Sequence, residues 1–504
     1  MSTRACDLKS QHHPRTSKKW IAELVKKKMA HTPHYRPCDM VKDIASDYGV
    51  CVPYHQAWCS REVAVRDLHG DVRTSYDMLR WYSERVMETN PGSIIDMVVD
   101  EETHLFKSYF LCFAACAYGY EVGCRPLIFL DGSHITDKMQ GVILAASALN
   151  GNDELFTIAF AIADSETYEN WKWFLYNLKK ALLTERSTML ISDRAKGLKE
   201  AVPEIFPMDH HGYCLRHIEA NFMTEAAARY RKSLKDSLGK ALNKVAFALS
   251  ESEYLAALSE MERKSPESED WILKNDVEHW ANAQFPGERY GQMYSNLAES
   301  FNAWIKPARG LPILQMVETI RRQIMEMGGR RRTEAANWET TLCPTIEKVL
   351  AKIMFSARQN SVITFDGRHF QVMNGNKTYV VNIPEWTCSC HKWQLLKIPC
   401  EHACAAIACS HKPLYDHVSP FYTTNTYRAG YAVTVNPINN NDMPCMNIND
   451  IQVKPPITKR FPGRPRKKRI PSRGKAEHIY ICSRCKQEGH NRRICRNPML
   501  QEDI

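Results

Sequence analysis

The spacing of apolar and polar positions changes character twice along the chain. Residues 18–90 carry apolar positions at helical intervals, most clearly over Met40–Tyr48 and Tyr54–Leu68. Between those two runs, Gly49-Val50-Cys51-Val52-Pro53 supplies the glycine and proline that end one helix and begin the next. Two helices around a short turn fit a helix-turn-helix, with Arg61 and Arg66 on the second, and fit any small helical bundle equally well. From Leu127 the pattern shortens. Leu127–Leu130 is an apolar run closing on Asp131, Val142–Leu149 and Leu155–Ala163 are further strands, Tyr168–Leu183 is an amphipathic helix, and Met189–Ser192 is a strand closing on Asp193. Strands followed by strand–helix alternation predict a mixed α/β sheet. Residues 214–290 return to helix, rich in Ala, Leu, Glu and Lys, and another helix spans Tyr294–Ile305. After Ser361 come the short strands Val362–Phe365, His369–Val372 and Thr378–Val381, then two cysteine clusters separated by a Pro/Asn-rich stretch and a basic tail.

Composition narrows the class. With 504 residues, 44% hydrophobic and 25% charged, the chain is expected to fold into two to four domains. The N-terminus has no apolar signal core, and the most apolar stretch, Tyr109–Tyr120, is about half the ~20 residues that span a bilayer. A soluble intracellular protein is expected, with no membrane partner. Its 18 cysteines are spread along the chain, which points to reduced thiols and metal sites rather than a disulfide framework. The net charge is +10, and residues 451–476 alone hold ten Lys or Arg and no acid. Attraction to nucleic acid is therefore concentrated in that segment.

Asp131 and Asp193 close two predicted strands, the edge at which ligands bind in open α/β sheets. Glu299 lies within Asn296-Leu297-Ala298-Glu299-Ser300-Phe301-Asn302 on a predicted helix. Three carboxylates converging there suit Mg²⁺ or Mn²⁺, and two such ions about 3.5–4 Å apart serve phosphodiester chemistry. Acids at strand ends also cap helices, and Asp193 before Arg194-Ala195-Lys196 fits that plainer role.

The cysteine clusters have ligand spacing. Cys482-x₂-Cys485-x₄-His490-x₄-Cys495 matches a CCHC zinc knuckle, with Gly489 permitting the turn. Knuckles contact single-stranded nucleic acid, and Arg484, Lys486, Arg492, Arg493 and Arg496 supply charge; a zinc button that contacts protein is the alternative. Cys388-Ser389-Cys390, then Cys400-Glu401-His402, resembles the SWIM zinc finger, in which all four Cys and His residues are ligands; Trp386 and Trp393 are expected to pack around it. Two structural Zn²⁺ ions are thus expected. Arg464, Arg466, Lys467, Lys468 and Arg469, around Pro465, resemble an AT-hook for the A·T minor groove and serve equally as a nuclear localisation signal.

Leu130-Asp131-Gly132-Ser133-His134, Ile191-Ser192-Asp193, Cys214-Leu215-Arg216-His217 and Asn296–Asn302 stand in the order of the motifs of plant Mutator-like (MULE/MuDR) transposases. Asn90-Pro91-Gly92 and Asn170-Trp171-Lys172-Trp173-Phe174 fit as well, and the resemblance runs from about residue 18 to the C-terminus. It implies an RNase H-like DDE core with a helical insertion, for which the 106 positions from Asp193 to Glu299 leave room. It makes Asp131, Asp193 and Glu299 the metal ligands, and places Cys214 and His217 as a C-x₂-H motif near the active site and DNA. The implied organisation is residues 1–17 as the remnant of a zinc finger, 18–124 helical, 125–310 the core with its insertion at about 214–290, 311–360 a helical connector, 361–415 the SWIM finger, 416–450 a linker, 451–476 the basic tail and 477–504 the knuckle. Cys6, His12 and His13 do not complete a ligand set for the N-terminal finger that relatives carry. The implied function is a nuclear DDE transposase acting on DNA, a homo-oligomer if functional. The alternatives are a domesticated, non-catalytic DNA-binding transcription regulator and an RNA-binding zinc-knuckle protein.

Overall fold

The computed structural model describes residues 16–31, 35–136, 140–182, 186–364, 366–444 and 452–457. Helices α1 (Lys18–His31), α2 (Pro37–Tyr48) and α3 (Tyr54–His69) bury Ile21, Val25, Met40, Ile44, Ala57 and Ala64 against one another. Pro37 starts α2, where its missing N–H costs nothing, and Gly49 ends it at φ 65°, donating its N–H to the Ala45 carbonyl at 3.0 Å. Arg61, on the helix that follows this turn, is held within the bundle: Nε donates to the Tyr35 carbonyl at 3.3 Å, and the guanidinium pairs with Glu62.

After α4 (Val72–Asp77) and α5 (Leu79–Thr89) the chain enters strands earlier than its pattern suggests. β1 (Ile94–Val99) and β2 (Phe106–Cys112) form an antiparallel hairpin inside the segment expected to be helical. The reason is physical. β2 is buried at six of its seven positions, so no alternation marks it, and a short apolar run reads as either element. The helix α6 (Ala114–Gly123) then leads into β3 (Leu127–His134), β4 (Val142–Leu149), β5 (Leu155–Ala163), α7 (Tyr168–Leu182), β6 (Met189–Ser192), α8 (Lys196–Ile205) and β7 (His210–Tyr213). The seven strands make one sheet in the order β1-β2-β5-β4-β3-β6-β7. Pairing is antiparallel from β1 through β3 and parallel from β3 to β6 to β7.

The pleat sends alternate residues to opposite faces. Ile128, Leu130, Leu144 and Leu190 pack with Trp171, Phe174, Leu178 and Val202 of α7 and α8. Leu127, Phe129, Met189 and Ile191 pack instead with Leu297 and Ala298 of a later helix, α13 (Asn296–Trp304). Each such buried side chain contributes about 1.5–3 kcal/mol. Between the two visits to the sheet, α9 (Leu215–Arg229), α10 (Lys232–Phe247), α11 (Glu251–Lys264) and α12 (Pro266–Leu273) enclose their own core around Leu238, Val245, Met261 and Trp280. Arg289 closes this insertion. It is buried without a carboxylate partner among its hydrogen bonds, donates to the Trp280 and His279 carbonyls and stacks on Phe285; burial lowers it to about 9.

α13 (Asn296–Trp304) and α14 (Ile313–Ala336) return to the sheet, and α15 (Pro344–Ala357) leads to a second sheet of β8 (Ser361–Thr364), β9 (His369–Asn374), β10 (Lys377–Asn382) and β11 (Thr387–Cys388), in the order β11-β10-β9-β8. Helices α16 (Lys392–Leu396) and α17 (Glu401–Cys409) complete this unit, and α18 (Thr424–Gly430) follows. The start of the segment read as the basic tail is built into the fold. Val453 is fully buried, Asp77 accepts the Gln452 and Val453 N–H groups, and Lys454 pairs with Leu105 at the β1–β2 turn. Arg464, Arg466, Lys467, Lys468, Arg469 and the Cys482/Cys485/His490/Cys495 cluster lie outside the described residues. Among the described residues, no helix is long and apolar enough to cross a membrane.

Candidate functional site

Asp131 stands on β3 and Asp193 directly follows β6, its parallel neighbour. The β3 pleat puts Asp131 on the α13 face with Leu127 and Phe129. Both its oxygens are engaged: Oδ1 accepts the Gly132 N–H at 3.0 Å, and Oδ2 accepts from Asn302 Nδ2 on α13 at 2.7 Å. Burial, then the nearby charge of Asp193, push the Asp131 carboxyl up to about 6. Asp193 Oδ1 accepts the Ala195 N–H at 3.0 Å, so it also organises the turn into α8.

Cys214 and His217 hold this edge together. Cys214 donates its N–H to the Ser192 carbonyl at 2.8 Å, and its Sγ accepts the Ser295 N–H at 3.2 Å, just ahead of α13. Through its N–H and its thiol, Cys214 therefore links the end of β6 to the helix that carries Glu299. Burial pushes the Cys214 thiol up, but hydrogen bonds with His217 and Ser295 outweigh it, and it falls to about 7. His217 rises, chiefly through Cys214 and then through the charges of Asp193 and Asp131.

Glu299 takes a different partner. It pairs with Arg216, whose second nitrogen donates to Asn296 Oδ1, and the pair's side chains are 47% and 56% exposed. Glu299 lies one turn before Asn302 on α13, and Asn302 is the residue this helix presents to Asp131. Sequence reasoning missed two neighbours of Asp131: Asn302, which stood in the quoted motif with no role, and Glu166, whose charge also raises Asp131. A carboxylate just ahead of α7 was the available signal for Glu166.

The second site is compact. Cys388 ends β11, Cys390 follows it, Cys400 caps α17 by accepting the Ala403 N–H, and His402 lies in the first turn of that helix. Their donor atoms all lie within 4.8 Å of one another. Cys390 and Cys400 Sγ are 3.5 Å apart, and His402 Nδ1 is 3.7 Å from Cys388 Sγ and 3.9 Å from Cys400 Sγ. A disulfide needs about 2.0 Å. Tetrahedral zinc, with Zn–S about 2.3 Å and Zn–N about 2.0 Å, spaces its ligands by about 3.5–3.8 Å. The donor set and its edges fit that ion. Tyr379 stacks on the His402 ring at 3.7 Å, and Trp386 stacks on the fully buried Trp393 at 6.1 Å. Among the described residues, no carboxylate group is gathered this tightly.

Comparison with known families finds two matches. Residues 127–221 match the MULE transposase domain, a span that includes Asp131, Asp193, Cys214 and His217 and ends before Glu299. The chain thus carries a MULE transposase domain over residues 127–221. Residues 370–411 match the SWIM zinc finger, a span that contains the whole Cys388–His402 cluster and supports zinc as its ion. Among curated proteins the chain is similar to Protein FAR1-RELATED SEQUENCE 6 of Arabidopsis thaliana, 25% identical over 30% of this chain and 20% of that protein. It is also similar to the transposase for insertion sequence element IS1201 of Lactobacillus helveticus, 26% identical over 38% of this chain and 54% of that one. A third relative is the transposase for insertion sequence element IS905 of Lactococcus lactis, 24% identical over 36% and 47%. The chain thus spans between a fifth and about half of these relatives.

Proposed function

We propose that this chain is a DDE-type transposase of the MULE family that binds DNA and cuts and joins phosphodiester bonds with two divalent metal ions. The observation that carries the reading is the pair Asp131 and Asp193, in step just past Phe129 and Ile191, the last pair of the parallel β3–β6 ladder, and inside the matched MULE domain. Strand order supports an RNase H-like core. β5-β4-β3 run antiparallel and β3-β6-β7 parallel, with the first acid on the central strand.

The residues at the edge fit a hard cation. Each Asp131 oxygen accepts one hydrogen bond and retains a lone pair for a metal. Asn302 Oδ1 is buried with no hydrogen-bond partner among the described residues, leaving polar capacity beside Asp131. Mg²⁺ or Mn²⁺ bound there would activate the attacking hydroxyl and stabilise the leaving oxygen. Asp131 and Asp193 supply the negative charge, Asn302 fixes the orientation of Asp131, and the Cys214–Ser295 contact sets where α13 meets the edge. In this reading Glu299 exchanges Arg216 for metal when DNA arrives, and Arg216 turns to a phosphate.

The zinc modules and basic tail complete the proposal: SWIM and knuckle each hold Zn²⁺, the tail anchors DNA and directs nuclear import, and the knuckle takes single-stranded nucleic acid. The active form is an oligomer. The test is DNA joining with ends of its own element in Mg²⁺ or Mn²⁺. Asp193→Asn should abolish joining and leave DNA binding intact; a wild-type chain that binds those ends and never joins them would reject catalysis. The pairing of Glu299 with Arg216 favours the second reading, a non-catalytic DNA-binding regulator, and that outcome would select it.

A further inference from the structure

Asp131 has a carboxylate neighbour outside the Asp131, Asp193, Glu299 set. Glu166 lies in the turn between β5 and α7 with an exposed side chain. Its carboxyl group rests over Gly132, the residue after Asp131. A Cβ at position 132 would lie 2.9 Å from Glu166 Cδ and 3.0 Å from each oxygen, so any side chain there would displace the carboxylate. Trp171, fully buried on α7, donates its indole N–H to Glu166 Oε1 at 3.3 Å. Two elements therefore hold Glu166 at this point. Asp131 faces α13, whereas Gly132, in step with Ile128 and Leu130, faces α7. Carboxylates thus stand on both faces of β3 here, just past its last pair with β6. Like charges held together repel unless a cation lies among them, and hard cations take such oxygen donors.

We propose that Glu166 is a further cation-facing carboxylate of this edge, holding Mg²⁺ or Mn²⁺ with Asp131 from the α7 side while α13 approaches from the other. The inference rests on the reading of the edge as a divalent-metal site. It accounts for the glycine after Asp131 and gives Asp131 an acidic partner even while Glu299 is engaged by Arg216.

The test is Mn²⁺ binding by the full-length, zinc-loaded protein, followed by the electron paramagnetic resonance signal of free Mn²⁺. E166Q keeps the size of the group and the acceptor for Trp171, and removes only the charge. It should weaken Mn²⁺ binding about 10-fold or more, with the metal-free melting temperature unchanged. E166D, which restores the charge on a shorter stem, should recover part of the loss. D131N and D193N serve as reference variants. If they lose Mn²⁺ while E166Q binds it as the wild type does, the role of Glu166 is overturned and the edge site stands. If D131N and D193N bind Mn²⁺ unchanged, or the wild type binds none, the edge reading falls and takes this inference with it. Equal losses in E166Q and E166D, with lowered melting temperatures, would assign Glu166 to packing alone and overturn the proposal.

Discussion

In the cysteine–histidine centre, four donors fall between positions 388 and 402 and their atoms gather within 4.8 Å. At the carboxylate edge, Asp131, Asp193 and Glu299 span 168 positions (299 − 131), and a chain of hydrogen bonds brings their elements together: Cys214 to Ser192 and Ser295, Asn302 to Asp131, Arg216 to Glu299. The first site is set by a strand end, a turn and one helical turn. The second depends on the sheet, the insertion and α13 all being in place. A local site presents its full donor set as soon as its short segment folds, whereas a long-range site is only as complete as the clamps between its elements.

Removing metal from the local site should have the largest effect. Structural zinc contributes about 10–16 kcal/mol in small modules. Cys400→Ser should cost one zinc equivalent and chelation both, and either should expose residues 370–411 to amide exchange while β3 and β6 stay protected. Unchanged protection over 370–411 after chelation would remove the contrast between the sites.

The next effect lies at the edge and depends on pH. Asp131 sits at about 6 in the folded chain, above its ordinary 3.8, so between those values the folded state keeps a proton that the unfolded state loses. Stability should therefore fall as pH rises from about 4 to 6, by up to about 3 kcal/mol, without added divalent cation. Asp131→Asn should flatten that decline in denaturant titrations at pH 4, 5 and 6. Identical slopes for wild type and variant would show that burial and Asp193 do not press on Asp131.

Smaller still is the clamp. Cys214→Ala leaves the buried Ser295 N–H without its acceptor, a loss of about 1–3 kcal/mol in chemical denaturation. The Arg216–Glu299 pair is half-exposed, so Arg216→Ala should change stability by less than about 1 kcal/mol. A drop above 2 kcal/mol would mean that the pair fastens α13 in place rather than resting on its surface.

Much of the architecture was legible in the chain. Gly49 and Pro53 punctuate the N-terminal helices as their chemistry requires, and the apolar runs before Asp131 and Asp193 lie in strands β3 and β6, although β3 continues through Asp131 to His134. The β1–β2 hairpin was not legible, because a strand buried on both faces carries no alternation. The docking of Gln452–Lys454 was equally hidden, since its partners Asp77 and Leu105 lie more than 340 positions away.

The sequence by itself determined the cysteine–histidine ligand set, the two acids that follow apolar strand runs and the concentration of positive charge in one segment, because each is written in local spacing. Only the tertiary structure decided that Asn302 and Glu166 are the neighbours of Asp131, that Glu299 pairs with Arg216 and that Cys214 joins β6 to α13. Those relations are fixed by which faces of the sheet the packed helices cover, and pleat and register acquire a direction in space only once the strands are paired.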